Sequence, residues 1–311
     1  MKNKLLVMPA PFKTKTFSTN AIMYCMLIAL LPTAISGVVV FGLNALYIML
    51  ISVASAYLFD LLFGFLKDGK WKVINVQPVV TGFVTALILP ASVPLYFPVI
   101  ANFIAIVLFK GFFGGNGRNI FNPAGVARVI LGFMFAGLTL DLFKGISLGG
   151  EVNSPLYYFE IGDYSTITLR SLFFGTAPSA IGTASIFCIV TCGIFLICYR
   201  VTDYIIPLTS FVAFTITTWV GAGAVAIVPY LFTGSYLFVT FFMLTDPTSS
   251  PNTAWGKLFY GLIFGLVSAL FRVQFILGET SVFVALLIAN LVAPLLDKIF
   301  APKPLGIRRE F

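Results

Sequence analysis

Between Gly111 and Ala124 the chain reads Gly111-Phe112-Phe113-Gly114-Gly115-Asn116-Gly117-Arg118-Asn119-Ile120-Phe121-Asn122-Pro123-Ala124, setting four glycines beside three carboxamides. Amides donate and accept hydrogen bonds, and glycine backbone allows close approach of a ligand, so Gly114, Gly115, Asn119 and Asn122 are candidates to hold a cofactor. Asn122 is placed to cap a helix that begins at Pro123. Gly-rich backbone leading into a helix N-terminus either binds an anion such as a phosphate or closes a tight re-entrant turn. It is not a Walker loop, because no Gly-Lys-Ser/Thr follows. Asp246 opens a second constellation, Asp246-Pro247-Thr248-Ser249-Ser250-Pro251. It can contribute to an ion path, contact a polar cofactor group or cap a helix. Arg128, about one turn beyond Pro123, either neutralises a cofactor phosphate or marks the membrane interface. Arg272 and Glu279 flank a later turn, where they can meet.

What is missing narrows the chemistry further. With no histidine, the usual general base, haem ligand and zinc ligand are all absent. Cys25, Cys188, Cys192 and Cys198 form no CxxC pair and sit in apolar runs, so no metal site is expected. Hydrolysis and group transfer lack side-chain machinery, and any redox step must belong to a cofactor.

The elements that would position these residues follow from composition. The 311 residues are 59% hydrophobic and 10% charged, with 34 Phe, and the mean hydropathy is +1.03. These values exclude a water-soluble monomer. At about 20 residues per crossing there is room for about ten membrane helices. Long apolar runs, rather than short alternating ones, exclude an outer-membrane barrel and place the chain in a bacterial inner (plasma) membrane. The apolar windows predict ten helices starting near residues 21, 43, 78, 93, 123, 179, 204, 222, 257 and 279. The third and eighth are short and broken at Leu89-Pro90 and Asp246-Pro247. The first is read as a membrane helix and not a cleaved signal.

Alternate connections divide the 19 Lys and Arg residues sixteen to three, with only Lys144, Arg170 and Arg272 on the poorer side. Both termini are therefore expected in the cytoplasm. This bias accounts for the +8 net charge and argues against nucleic-acid binding. An all-α protein results, built as two inverted five-helix repeats: residues 1–139, a connecting extracytoplasmic loop 140–178, and residues 179–311. The segment Val84-Thr85-Ala86-Leu87-Ile88-Leu89-Pro90 has an echo in Val239-Thr240-Phe241-Phe242-Met243-Leu244. The two broken helices are expected to face each other, where such folds bind their ligands.

Five segments then carry a resemblance in the same order along nearly the whole chain: MYCMLIALLP (23–32), TGFVTALILPASVPLYFPV (81–99), GGNGRNIFNPA (114–124), TDPTSSP (245–251) and ETSVFVALLIANLVAPLLD (279–297). Together they resemble the RnfD/NqrB family, with a length closest to RnfD. The resemblance implies a redox subunit of a translocase complex of the ferredoxin:NAD or NADH:quinone type, in which electron transfer through bound flavin is coupled to Na+ or H+ movement. It also implies other Rnf-type subunits as partners, among them an extracytoplasmic flavoprotein, alongside membrane lipid. In that family FMN is joined through its phosphate to a threonine in an extracytoplasmic loop. The best-matched position here is Thr168, in Asp163-Tyr164-Ser165-Thr166-Ile167-Thr168, with Thr166 a second candidate. Thr166 and Ile167 replace the family's small Gly-Ala pair, and branched residues stiffen and shield the site. Gly182-Thr183-Ala184-Ser185 and Pro11-Phe12 are two further departures, standing where relatives tend to have Gly-Glu-Thr-Ser and Pro-His. A second flavin such as riboflavin, held without a covalent bond, is the other cofactor the resemblance raises. The alternative from a different class is a channel or carrier for a small polar solute on a urea-transporter-like fold.

Overall fold

A computed structural model of the chain describes residues 19–69, 76–111, 119–135, 145–147, 150–152, 169–174, 180–274 and 278–301. An apolar chain satisfies its backbone polar groups best within helices, and helices dominate the described residues. The first half contains α1 (Thr19–Phe41), α2 (Leu43–Asp68), α3 (Gln77–Leu87), α4 (Phe97–Asn102) running on as a π-helix (Phe103–Lys110), and α5 (Pro123–Met134). A two-stranded hairpin follows, β1 (Gly145–Ser147) and β2 (Gly150–Val152), antiparallel in the register Gly145 to Val152. This short hairpin falls in the segment read as a connecting loop, and the chain remains helical in class. Then come α6 (Leu169–Phe174), a 3-10 turn (Ile181–Thr183), α7 (Ile186–Cys198) and α8 (Ile205–Ala222). The chain ends with α9 (Ala224–Phe232), α10 (Tyr236–Phe238) running into a π-helix (Val239–Met243), α11 (Ala254–Val273) and α12 (Thr280–Ile299).

Five of these helices are long and apolar enough to cross a membrane: α1, α2, α8, α11 and α12. The pair Ala224–Phe232 and Tyr236–Met243 would add a sixth, bent by 66°. Gln77–Leu87, Phe97–Lys110, Pro123–Met134 and Ile186–Cys198 are apolar but shorter, in the range where a helix is more often buried in protein than exposed to lipid along its length. These helices make the chain a multi-pass membrane protein.

The faces of the long helices sort accordingly. On α1, Tyr24, Ile28, Leu31, Ile35 and Val39 are exposed, while Leu30, Thr33 and Ala34 are buried. On α8, Leu208, Val212, Ile216 and Trp219 point outward. Both outward sets repeat at helical spacing, the pattern of a lipid-facing stripe.

Inside, small residues let helices approach closely, because apolar side chains gain little by leaving lipid for protein. A Cβ on Gly82 of α3 would lie 2.6 Å from Ala56 Cβ and 2.8 Å from the Ser52 carbonyl oxygen of α2. On α11, a Cβ on Gly265 would fall 2.3 Å from the Ser210 carbonyl oxygen of α8. A polar knot locks the first contact. Ser52 Oγ donates to the Gly82 carbonyl at 2.6 Å, and Asn102 Nδ2 donates to Ser52 O and Oγ and to Ser55 Oγ at 2.9–3.0 Å.

The two helical breaks are satisfied by the protein itself. Where α3 ends, the Leu89 carbonyl accepts from Ile181 N–H at 3.0 Å and Pro90 pairs with Ala180, tying the first half to the start of the second. Gly182 fits between Leu87 and Phe238, where a Cβ would come within 2.7 and 3.0 Å.

Because backbone and Cβ atoms crowd Gly82 from two sides, Gly82→Ala is expected to destabilise the fold by about 1–3 kcal/mol through overpacking. A lowered thermal-unfolding midpoint of the detergent-solubilised protein would register it.

Candidate cofactor cleft and the charges at the helix break

A cleft of about 710 Å3, part of it open to the outside, lies where segments of both halves converge. Its walls come from Met23 and Met26 of α1, Gln77, Val80, Thr81 and Val84 of α3, Lys110 at the end of the π-helix, Asn119, Asn122 and Ala124 around the start of α5, Thr202 after α7, and Phe242 to Thr248 at the end of the eighth apolar segment. Val84 and Phe242 belong to the two short or bent segments, which thus share one cleft.

Asn122 is the organising residue of the floor. Its Oδ1 accepts from Gly125 N–H at 3.3 Å, the expected N-cap of α5, with Pro123 at the first helical position. Its Nδ2 makes a long contact of 3.5 Å to the Met243 carbonyl across the halves. The orientation of Asn290 that satisfies all its neighbours accepts from Asn122 N–H at 3.0 Å and donates to Leu286 O at 3.1 Å and Tyr260 Oη at 2.9 Å. A chain of amides and a phenol therefore runs from the cleft into α11 and α12. Asn119, only 5% exposed, lines the cleft with an Oδ1 that accepts no hydrogen bond among the described residues. A buried acceptor without a donor is costly, so Asn119 carries an unused acceptor at the wall of the cleft.

Asp246 sits opposite, half-buried, and folds into its own turn. Its carboxylate accepts from Thr248 Oγ1 at 2.6 Å and Thr248 N–H at 3.4 Å, while its carbonyl receives Ser249 and Ser250 N–H. It lines the cleft, while the N-cap of α11 is Thr253. Burial pushes the Asp246 carboxyl above its usual 3.8, against the Thr248 hydrogen bonds that pull it down.

Arg128 is elsewhere. It is 2% exposed, lies over the Phe283 ring at 5.4 Å, has Glu279 as its charged neighbour and runs past Gly132 toward Thr280. It is not among the residues that line the cleft. The sequence hides the reason: Arg128 is on the face of α5 turned to α12, opposite a carboxylate 151 positions later in the chain.

That carboxylate belongs to a second polar centre, at the bend of the eighth segment. Thr233, Gly234 and Ser235 separate α9 from α10, with Gly234 at φ 63°, left-handed backbone that suits glycine. Glu279 accepts from Ser235 N–H at 3.1 Å and Oγ at 3.3 Å, placing negative charge at the N-terminus of α10. Arg272, fully buried, donates Nη1 to the Tyr230 carbonyl at 2.6 Å and the Thr233 carbonyl at 3.1 Å, placing positive charge at the C-terminus of α9. Each charge opposes the helix-end dipole it meets. Arg272 and Glu279, which the sequence places at a turn, both reach this break.

Gly114, Gly115, Thr166 and Thr168 lie outside the described residues, as does most of 140–178. The residues that sequence reasoning missed are Gln77, Thr81, Thr202 and Lys110. The first three carried no signal beyond being polar in an apolar chain, and Lys110 was read only as one of the loop cations.

The fold and the cleft define a polytopic helical membrane protein with an amide-lined, mainly apolar binding cleft. The family model described as the NQR2, RnfD, RnfE family matches residues 6–306, and the chain belongs to that family. It is 28% identical to a subunit of the proton-translocating ferredoxin:NAD(+) oxidoreductase complex of Clostridium ljungdahlii, over 99% of this chain and 98% of that one. Identity is also 28% to a subunit of the Na(+)-translocating ferredoxin:NAD(+) oxidoreductase complex of Acetobacterium woodii, over 98% and 96%. A subunit of the Na(+)-translocating NADH-quinone reductase of Yersinia pestis is 31% identical over 75% of this chain and 63% of its own.

Two outcomes are expected from these contacts. Arg272→Leu strands the carbonyls of Tyr230 and Thr233 in an apolar interior and should cost about 3 kcal/mol, read as a fall in thermal midpoint. The Asp246 carboxyl binds its proton more tightly when folded, so stability should fall as pH rises from 3.8 through its raised folded value. In Asp246→Asn that slope should vanish from midpoints measured across the same window.

Proposed function

We propose that this chain is the membrane subunit of an Rnf-type electron transport complex, in which bound flavin passes electrons and Na+ or H+ movement is coupled to the change in flavin charge. Family membership supports the class of complex. The cleft supports the cofactor: its mostly apolar walls with a few placed polar groups are the usual lining of a small-molecule site. The observation that carries the reading is the buried Oδ1 of Asn119 beside Asn122, which accepts no hydrogen bond among the described residues. Amide acceptors and donors of this kind match the alternating donors and acceptors of an isoalloxazine edge.

Phosphate fits the cleft poorly. Among the described lining residues Lys110 is the cation, and it is already paired with Asp60. Riboflavin, which lacks a phosphate, is therefore the better occupant of the cleft, while FMN is assigned to a covalent link at Thr168, with Thr166 second. A bound flavin supplies electron transfer that the side chains cannot. Asn119 and Asn122 orient the ring edge, Met23, Val84 and Phe242 exclude water, and Asp246 holds its turn in the wall.

In this reading the ten apolar helical segments form two inverted five-helix repeats, with residues 140–178 on the outer face of the bacterial inner membrane and both termini in the cytoplasm. The short third segment and the bent eighth occupy corresponding places in the two halves, as broken helices do in such repeats. The partners are the other subunits of the complex, including an extracytoplasmic flavoprotein that faces the 140–178 loop.

The test separates the two flavins. The full chain is produced with its neighbouring subunits and a flavin transferase, and flavin is measured on a denaturing gel and in the acid-extractable fraction. Fluorescence comigrating with the polypeptide, lost in Thr168→Ala, is expected for FMN. Extractable riboflavin near one per chain, falling at least tenfold in Asn119→Leu, is expected for the cleft. A colourless, flavin-free chain that conducts a small polar solute in liposomes would overturn the reading.

A further inference from the structure

Lys110 is the last residue of the π-helix that extends α4, and it is only 4% exposed. Its Nζ lies 2.7 Å from Asp60 Oδ1 on α2. Lys110 lines the cleft, whereas Asp60 stands behind it, outside the lining. The geometry is built closely: Gly111, next in the chain, has no room for a Cβ, which would fall 2.7 Å from the Phe63 ring of α2. An ammonium taken out of water costs several kcal/mol unless its charge is matched. A cleft that only had to hold a neutral ring could use another amide or an apolar side chain at this place.

The pair is directional. Toward an uncharged occupant the ammonium and carboxylate nearly cancel, but the cationic end is nearer the cleft. An occupant that becomes negative is then favoured over its neutral form, in surroundings where charge is poorly screened. A flavin ring that takes up two electrons from a reductant and one proton from water becomes an anion. Lys110 donates no proton in that step, and the Asp60 carboxylate 2.7 Å away favours its charged form.

We propose that Lys110, oriented by Asp60, is a positioning residue that sets the reduction potential of the ring held in the cleft. The ammonium raises the potential by favouring the anionic reduced form, and the carboxylate behind it limits that rise. The inference rests on the flavin reading above and adds a residue and a direction to it.

The experiment is a spectroelectrochemical titration, with dithionite as reductant, of the non-covalent flavin in the full chain purified with its partner subunits. Lys110→Gln should weaken binding of the reduced ring relative to the oxidised ring about tenfold, within the usual range of site coupling. For a two-electron couple that is a fall of about 30 mV. Asp60→Asn should move the ratio about tenfold the other way. Lys110→Arg, which keeps the charge, should titrate like the wild type. The double variant Lys110→Gln with Asp60→Asn restores neutrality and should fall between the two single variants.

A merely structural pair would shift both single variants in the same direction or neither, and either result overturns the inference while leaving the flavin reading intact. Failure of a single variant to fold moves the decision to Lys110→Arg and the neutral double variant, whose potentials must then follow the order given. A wild-type preparation without extractable flavin overturns both readings.

Discussion

A break in a helix surrounded by apolar protein exposes carbonyls and amides that neither lipid nor water can satisfy, and the architecture turns on how this chain meets that demand twice. At the bend of the eighth segment it uses full charges. Arg272 caps the carbonyl end of α9 through Tyr230 and Thr233, and Glu279 caps the amide end of α10 through Ser235. At the end of α3 it uses backbone, with Leu89 and Pro90 meeting Ala180 and Ile181. These solutions fix where the chain can leave helical geometry, and so where polar atoms can gather without unfolding their surroundings.

The cleft is a consequence of those breaks. The third segment stops early and the eighth bends, so Val84 and Phe242 line a space that two uninterrupted helices would have filled. Asn122 links its parts, as cap to α5, as neighbour of Met243 and as donor to Asn290. The amide network is satisfied inward, toward Tyr260, and Asn119 supplies the acceptor at the wall. Lys110 adds charge at the rim only because Asp60 balances it. Rigid helices, glycine contacts such as Gly82 against α2 and Gly265 against α8, and the Asn102 knot hold this arrangement.

Much of this was legible from residue types and spacing. The apolar windows fall on described helices, since an apolar run of sufficient length has few other stable fates in a membrane, although α7 begins only at Ile186 and the eighth segment bends at Thr233 to Ser235 instead of at Asp246-Pro247. The Asn122-Pro123 cap was legible because it is local: the capping side chain and the N–H it accepts from lie three residues apart. Asp246 and Asn119 were marked by polar or ionisable character in an apolar chain, and both line the cleft. The β1–β2 hairpin and the limited length of Phe97–Lys110, Pro123–Met134 and Ile186–Cys198 were not anticipated, whereas the short third segment was. Hydropathy averages over a window and does not distinguish lipid-facing helix from helix buried in protein.

By itself, then, the sequence determined the membrane setting, the helical class and the break that follows α3 at Leu89-Pro90. All of these depend on composition or on neighbours within one or two turns. Only the tertiary structure decided that Arg128 turns to Glu279 and Phe283, that Arg272 and Glu279 guard a helix bend, and that Lys110 meets Asp60 beside the cleft. Those partners lie 39 to 155 residues apart in the chain. The direction a buried charge takes is set by which neighbouring helix offers the opposite charge or an open backbone group, and spacing along one helix does not contain that information.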